Sequence, residues 1–264
     1  MNEINSLTAM LRELRLPGFV DNYVALAAKA TAENASFPDY LKQLAEIEVS
    51  ERKRRRIEKN LRASALPREK TLANMDSDKL PTKVRRQLAE LCSGVFADRA
   101  ENILIFGLPG RGKSHTACAI GHELVARGMT AHFTPAFKLV QRLLLARRDL
   151  KMERELARLD VFDVLIIDDI GYIQQDRDEM EVLFTLLAER YERRSVIITS
   201  NLVFSQWDRI FKDPMTTAAA VDRMVHHSII LEMNGPSIRH ETALARITAD
   251  GDQAENALES EGPT

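Results

Sequence analysis

NILIFGLPGRGKSHTACAIGHELVARG, Asn102 to Gly128, decides the fold. The apolar run at its start predicts a buried strand, and 113–127 predicts a helix. Between them Gly107 to Ser114 fits G-x-x-x-x-G-K-[ST] at every fixed position. Chemistry gives that pattern a purpose. Gly107, Gly110 and Gly112 let the backbone curl so that its N–H groups converge on phosphate oxygens, helped by the positive end of the helix dipole. Lys113 would neutralise the β- and γ-phosphates, and Ser114 would offer its hydroxyl to magnesium. The nucleotide-binding stretch is therefore Gly107, Leu108, Pro109, Gly110, Arg111, Gly112, Lys113, Ser114 and His115. A glycine-rich turn is the bland alternative, and the strand-loop-helix frame weighs against it.

Outward from this loop, apolar runs alternate with amphipathic stretches, the pattern of a parallel sheet with helices on both faces. Expected strands are 103–106, 130–133, 164–167, 196–199 and 229–231, and expected helices 113–127, 136–147, 176–193 and 217–226. The run VFDVLIIDD, Val161 to Asp169, reads as a buried strand ending in carboxylates beside the phosphate loop. Asp168 is placed to hold the magnesium shell, and Asp169 to orient or deprotonate the attacking water, unless Asp169 only caps a helix. SVIITSN, Ser195 to Asn201, ends in an amide that either bonds the γ-phosphate or simply makes a turn. Arg223, in AAAVDRMVHHS, is either an arginine finger completing a neighbouring subunit's site or half of a surface ion pair. His226 and His227 lack metal-ligand spacing.

Residues 1 to about 98 contain no convincing strand and read as helices. Ile4, Leu7, Leu11 and Leu14 recur at helical spacing until Pro17-Gly18 ends the first helix. Phe19, Tyr23 and Leu26 mark a second, and Ser36-Phe37-Pro38-Asp39 a stop and a new cap. A third helix runs from about Asp39 to Ala65 with a stripe of Leu41, Leu44, Ile47, Ile57 and Leu61, interrupted by ERKRRR, Glu51 to Arg56. Successive cations on a helix point around its whole circumference, so no buried face takes them. They form either a solvated charge run or a phosphate-binding helix. An extended basic connector, LPREKTLANMDSD, leads to a helix over 82–92 with Val84, Leu88 and Leu91 facing inward.

Composition sets outer bounds. With 264 residues, 45 % hydrophobic, 29 % charged and a net charge of −2, the chain suits a soluble globular protein, and any attraction to nucleic acid must be local. Cys92 and Cys118 give neither a disulfide framework nor a zinc pattern. No apolar run approaches the roughly 20 residues of a membrane span, so a cytoplasmic protein is expected.

Taken together these motifs resemble the IstB-like helper ATPases of bacterial insertion sequences, close to DnaC-type helicase loaders within the AAA+ ATPases. The likeness rests on LRELRLPGFVDNY, FPDYLKQLAEIEVSERKRRRIEKNLRASALP, ENILIFGLPGRGKSHTACAIG, VLIIDDIGY, RYERRSVIITSNLVFSQWDRIF, AAAVDRMVHHS and GPSIR, in that order. It implies an α/β fold: an AAA+ P-loop NTPase core with a parallel five-stranded sheet, preceded by an all-α domain and without a C-terminal lid. The implied domains are 1–98 for DNA binding and oligomerisation, 99–243 for the ATPase, and an acidic, disordered tail over 244–264. Lys113, Ser114, Asp168 and Asp169 take the Walker A and B roles, Asn201 resembles sensor 1, and Arg223 the arginine finger. The cofactors implied are ATP and Mg2+, with magnesium held by Ser114 and Asp168. The partners implied are duplex DNA, a transposase and further copies of the chain, with no membrane. Arg52, Lys53, Arg54, Arg55, Arg56, Lys59 and Arg62 become candidate DNA-phosphate contacts. Ile238 stands where the family usually has Tyr, while Arg111 and Ser114 replace Thr; Ser keeps the hydroxyl. Arg239 matches a basic family position of unassigned role. A replicative helicase loader is the alternative, and a small-molecule kinase a weaker third.

Overall fold

In the computed structural model the described residues are 2–172, 177–202 and 227–234. They fall into two compact units, Met1–Asn60 and Leu61–Thr264.

Helices α1 (Asn2–Glu13), α2 (Pro17–Ala32) and most of α3 (Phe37–Ala63) make the first unit. Arg15, at φ 55°, turns the chain after α1, and Pro17 opens α2, where its missing N–H costs nothing. At the next corner the Asp39 N–H donates to Ser36 Oγ at 3.3 Å, a side-chain cap at the start of α3. α2 and α3 meet through a polar contact: the Gly18 N–H donates to Glu48 Oε2 and Arg52 Nε to Glu48 Oε1, both at 2.7 Å. Burial alone would push the Glu48 carboxyl up, but these two bonds, with the charges of Arg52 and Arg55, hold it below the usual range.

The expected stripe on α3 is only partly an inward face. Leu44 is buried, whereas Leu41 is 57 % and Leu61 43 % exposed. A different line organises the helix. Stepping three or four residues at a time gives Leu44, Glu48, Arg52, Arg55 and Lys59, so the face that is buried in the first half becomes cationic in the second. Arg56 lies beside this line. Thus the cations do not all scatter around the circumference; Arg54, on the opposite side, is bonded to Glu51 at 2.8 Å and Glu58 at 2.6 Å.

The second unit carries a parallel sheet of β1 (Asn102–Phe106), β2 (Ala131–Pro135), β3 (Val164–Asp168), β4 (Ser195–Ser200) and β5 (Ser228–Glu232), in the order β2-β3-β4-β1-β5. All four pairings are parallel. The inner strands β1, β3 and β4 are buried almost throughout, as a sheet covered by helices requires, while the edge strands β2 and β5 are only partly buried. Leu104, Phe106, Leu165, Ile167, Val196 and Ile198 join one core with α7 (Ala136–Arg148), α8 (Met152–Asp160) and α9 (Arg177–Arg190). The other face packs on α6 (Lys113–Ala126), which α4 (Thr82–Ser93) covers in turn; the short α5 (Val95–Asp98) then leads into β1.

Burial of Val84, Leu88, Leu91 and Cys92 along α4 explains why the units divide at 60/61 and not at the expected 98. That helix completes the cover of α6. Helix α8 was not anticipated: its apolar residues Met152, Leu156 and Leu159 are embedded in charge, which hides the periodicity. The expected helix over 217–226 and the tail over 244–264 lie outside the described residues, as does the segment that bears on a lid. Both cysteines are free and buried, and burial pushes the Cys92 thiol to about 11 and the Cys118 thiol to about 12. Neither is a nucleophile. No helix among the described residues is long and apolar enough to cross a membrane.

Candidate functional site

β1 ends between β4 and β5, and the chain turns directly into the loop before α6. Gly110 and Gly112 hold φ of 81° and 79°, the left-handed region that side-chain-bearing residues resist, and Gly112 is the residue from which α6 starts. The curl brings the first N–H groups of a 14-residue helix to the carboxyl edge of the sheet. Lys113 is 7 % exposed, and its ammonium donates to Leu108 O at 3.1 Å, folded back over its own loop.

Across the sheet, β4 separates β3 from β1 and supplies a residue that the sequence reading passed over. Thr199 is fully buried; its hydroxyl donates to Asp168 Oδ1 at 2.6 Å and accepts the Asp169 N–H at 2.8 Å. One hydroxyl thus fixes both aspartates. Asp169 sits at φ 67°, uncommon for a residue with a Cβ and a sign of local strain at a site. It begins a turn into the 3-10 segment Ile170–Tyr172.

Asn201, just past β4, is also drawn in. Its Oδ1 is buried without a hydrogen-bond partner among the described residues. A Cβ built on Gly171 would come within 1.9 Å of that oxygen. Gly171 has no left-handed backbone to satisfy, so its missing side chain serves the Asn201 amide.

An open cleft of about 270 Å³ gathers these groups: Gly110 to His115 on one side, Asp169 and Asn201 on another, and Lys70, which the sequence reading did not single out. His115 is tied to a distant segment, its Nε2 donating to Thr71 O at 2.8 Å, since a carbonyl only accepts. Ser114 and Asp168 offer hard oxygen donors of the type magnesium takes, and the Asn201 oxygen is a buried acceptor still without a donor among the described residues. No group of three or more His, Cys, Asp or Glu able to cage a metal occurs among the described residues. A cation here would be completed by phosphate and water oxygens, as magnesium commonly is.

The other candidates lie elsewhere. Lys53, Arg56 and Lys59 are exposed on α3, Arg52 is bonded to Glu48 and to Arg15 O, and Arg55 lies 3.7 Å from Glu51. Arg62 is on the same helix past the division of the units. Arg223, His226 and Arg239 are outside the described residues. His227 is not part of the cleft; its Nε2 lies 3.3 Å from Glu192.

A family model described as IstB-like ATP binding protein matches residues 9–245. An insertion sequence ATP-binding protein of Sinorhizobium fredii is 44 % identical over 90 % of this chain and 80 % of its own. The corresponding protein of insertion sequence IS5376 in Geobacillus stearothermophilus is 38 % identical over 86 % and 90 %. Among solved structures, AMPPCP-bound DnaA from Aquifex aeolicus superposes with a TM-score of 0.52 at 20 % identity, over 65 % of this chain and 51 % of that one. At such identity the likeness concerns the fold alone.

Proposed function

This chain belongs to the family of IstB-like ATP-binding proteins, and from that premise we propose that it is a DNA-binding ATPase that assembles on duplex DNA as a transposition helper. In this reading it selects target DNA and stimulates a partner transposase. The observation that carries the ATPase part is the convergence, in one cleft, of the loop from Gly110 to His115 with Asp169 and Asn201.

Within that cleft Lys113 leaves Leu108 O for the phosphates, and the loop N–H groups bind the oxygens between them. Ser114 and Asp168 would hold magnesium, which supplies charge neutralisation for the departing phosphate. Thr199 holds the Asp168 carboxylate in position and fixes the Asp169 backbone. Asp169 then orients and deprotonates the attacking water, and Asn201 positions it by hydrogen bonding. We assign Arg223 to the neighbouring protomer's site, so that ATP bridges two copies and its loss weakens their contact.

Gly171→Ala tests the Asn201 assignment. Forcing the amide aside should leave nucleotide affinity within about threefold while slowing hydrolysis at least about tenfold. Adding the change to Asn201→Ala should bring no further loss; a fully additive double variant would separate Gly171 from Asn201.

DNA binding is carried by the cationic half of the α3 line, Arg52, Arg55 and Lys59, with Arg56 beside it. Exposed Leu7, Met10, Val24 and Phe37 in the same unit support an assembly of copies. Contacts to phosphate give affinity without reading bases, as a helper serving many targets requires. Purified protein should retain duplex DNA with a nonhydrolysable ATP analogue and not without nucleotide. Its affinity should fall steeply with salt, and changing Arg55, Arg56 and Lys59 to alanine should flatten the log–log slope by about 2 to 3 per protomer. Affinity indifferent to salt and to these changes would reject the α3 assignment.

A further inference from the structure

The segment between α3 and α4 is not the free extended connector that its composition suggests. Ser64 O accepts the Phe133 N–H at 2.7 Å, Leu66 is buried, Pro67 O accepts from His122 Nε2 at 2.9 Å, and Thr71 O from His115 Nε2 at 2.8 Å. The Thr116 hydroxyl lies 3.8 Å from Met75 Sδ. Residues 64–75 are therefore strapped to β2 and along the first turns of α6, the helix that begins at the phosphate loop. Two histidines of α6 fasten the strap through its backbone carbonyls, and the Leu66 and Met75 side chains add contacts to the same helix.

That fastening decides where Lys70 goes. Its N–H donates to Pro67 O at 3.2 Å, closing a turn between the two fastened carbonyls. Its half-buried side chain forms part of the cleft wall with Gly110 to His115, Asp169 and Asn201. The ammonium stands 5.9 Å from the centroid of Phe133, an aromatic face that steers the stem while leaving the charged end available. Arg111 is drawn toward Met233 O at 3.5 Å, leaving Lys70 and Lys113 as the two ammonium groups of this wall.

We propose that Lys70 is a second phosphate-binding lysine of the nucleotide site, brought in by the strap alongside α6 to contact the polyphosphate of a bound nucleoside triphosphate together with Lys113. The inference rests on the ATP reading above. An ammonium in a partly dehydrated cleft gains most from the most highly charged ligand, so Lys70 favours triphosphate over diphosphate.

Titration calorimetry of the full chain with ATP and with ADP tests it. Lys70→Met keeps a stem of similar length against Phe133 and removes only the charge. It should weaken ATP binding about tenfold and ADP binding less, and should reduce the salt dependence of ATP affinity. Lys70→Arg should restore ATP binding to within a few-fold. Unchanged ATP affinity in Lys70→Met, with Lys113→Ala still defective, would overturn the role of Lys70 and leave the ATP reading standing. Equal losses for ATP and ADP, accompanied by a lower melting temperature without ligand and no rescue by Lys70→Arg, would make Lys70 a packing residue. A wild-type chain that binds no ATP would instead remove the reading on which the inference depends.

Discussion

Lys113→Ala should abolish measurable ATP binding, weakening it at least about a hundredfold in calorimetry with excess magnesium. The size of the effect follows from where the ammonium sits. At 7 % exposure it has already given up most of its water, and it donates to a carbonyl of the same loop, Leu108 O, at 3.1 Å. A phosphate therefore meets a cation whose dehydration occurred on folding. The melting temperature of the variant without ligand should stay close to that of the parent chain, which separates a loss of binding from a loss of fold. Binding within threefold of the parent would refute the assignment of this loop.

Arg190→Ala should have the largest effect on stability, about 3–5 kcal/mol, read as a melting temperature lower by roughly 10 °C. Arg190 is 2 % exposed, and its guanidinium donates to Leu159 O, Phe162 O, Asp163 O and Ser195 O at 3.1, 2.9, 3.3 and 3.0 Å. These carbonyls belong to the end of α8, the approach to β3 and the start of β4. Burial lowers its pKa to about 10, with Asp160 opposing the shift, so the group is charged throughout the neutral range. Truncation takes the shared side-chain donor from all four carbonyls in a largely buried space, although Leu159 O and Asp163 O keep the Phe162 and Ser195 N–H groups, each at 3.3 Å. Arg190→Lys should recover little, since a single ammonium cannot reproduce a planar fork over several acceptors. A loss below about 1 kcal/mol for Arg190→Ala would mean that the strand starts are held by the sheet alone.

Much of this architecture was legible in the sequence where local pattern and tertiary demand agree. The apolar run over 102–106, the glycines of the loop and the amphipathic α6 each predict the element that forms, and Asp168, Asp169 and Asn201 follow from strand ends. What stayed hidden depends on contacts between segments far apart in the chain. Thr199 looks like any strand residue until the β3–β4 pairing sets its hydroxyl beside Asp168. Lys70 lies in an aperiodic stretch, and only its neighbours' carbonyls, held by His115 and His122, carry it to the cleft. Gly171 is ordinary turn punctuation until Asn201 arrives against it. That α4 packs on α6 was also hidden, because an amphipathic helix does not declare which neighbour it will cover.

Helix α3 joins its buried line to its cationic one without a break, from Leu44 and Glu48 to Arg52, Arg55 and Lys59. The azimuth of the positive half is consequently dictated by the count of residues separating it from the Gly18–Glu48 junction. Inserting one alanine after Glu48 would rotate the downstream cations by about 100° about the helix axis. Inserting seven would bring them back to within about 20°. Grip on an anionic strand should then rise and fall periodically with insertion length, at constant composition and net charge.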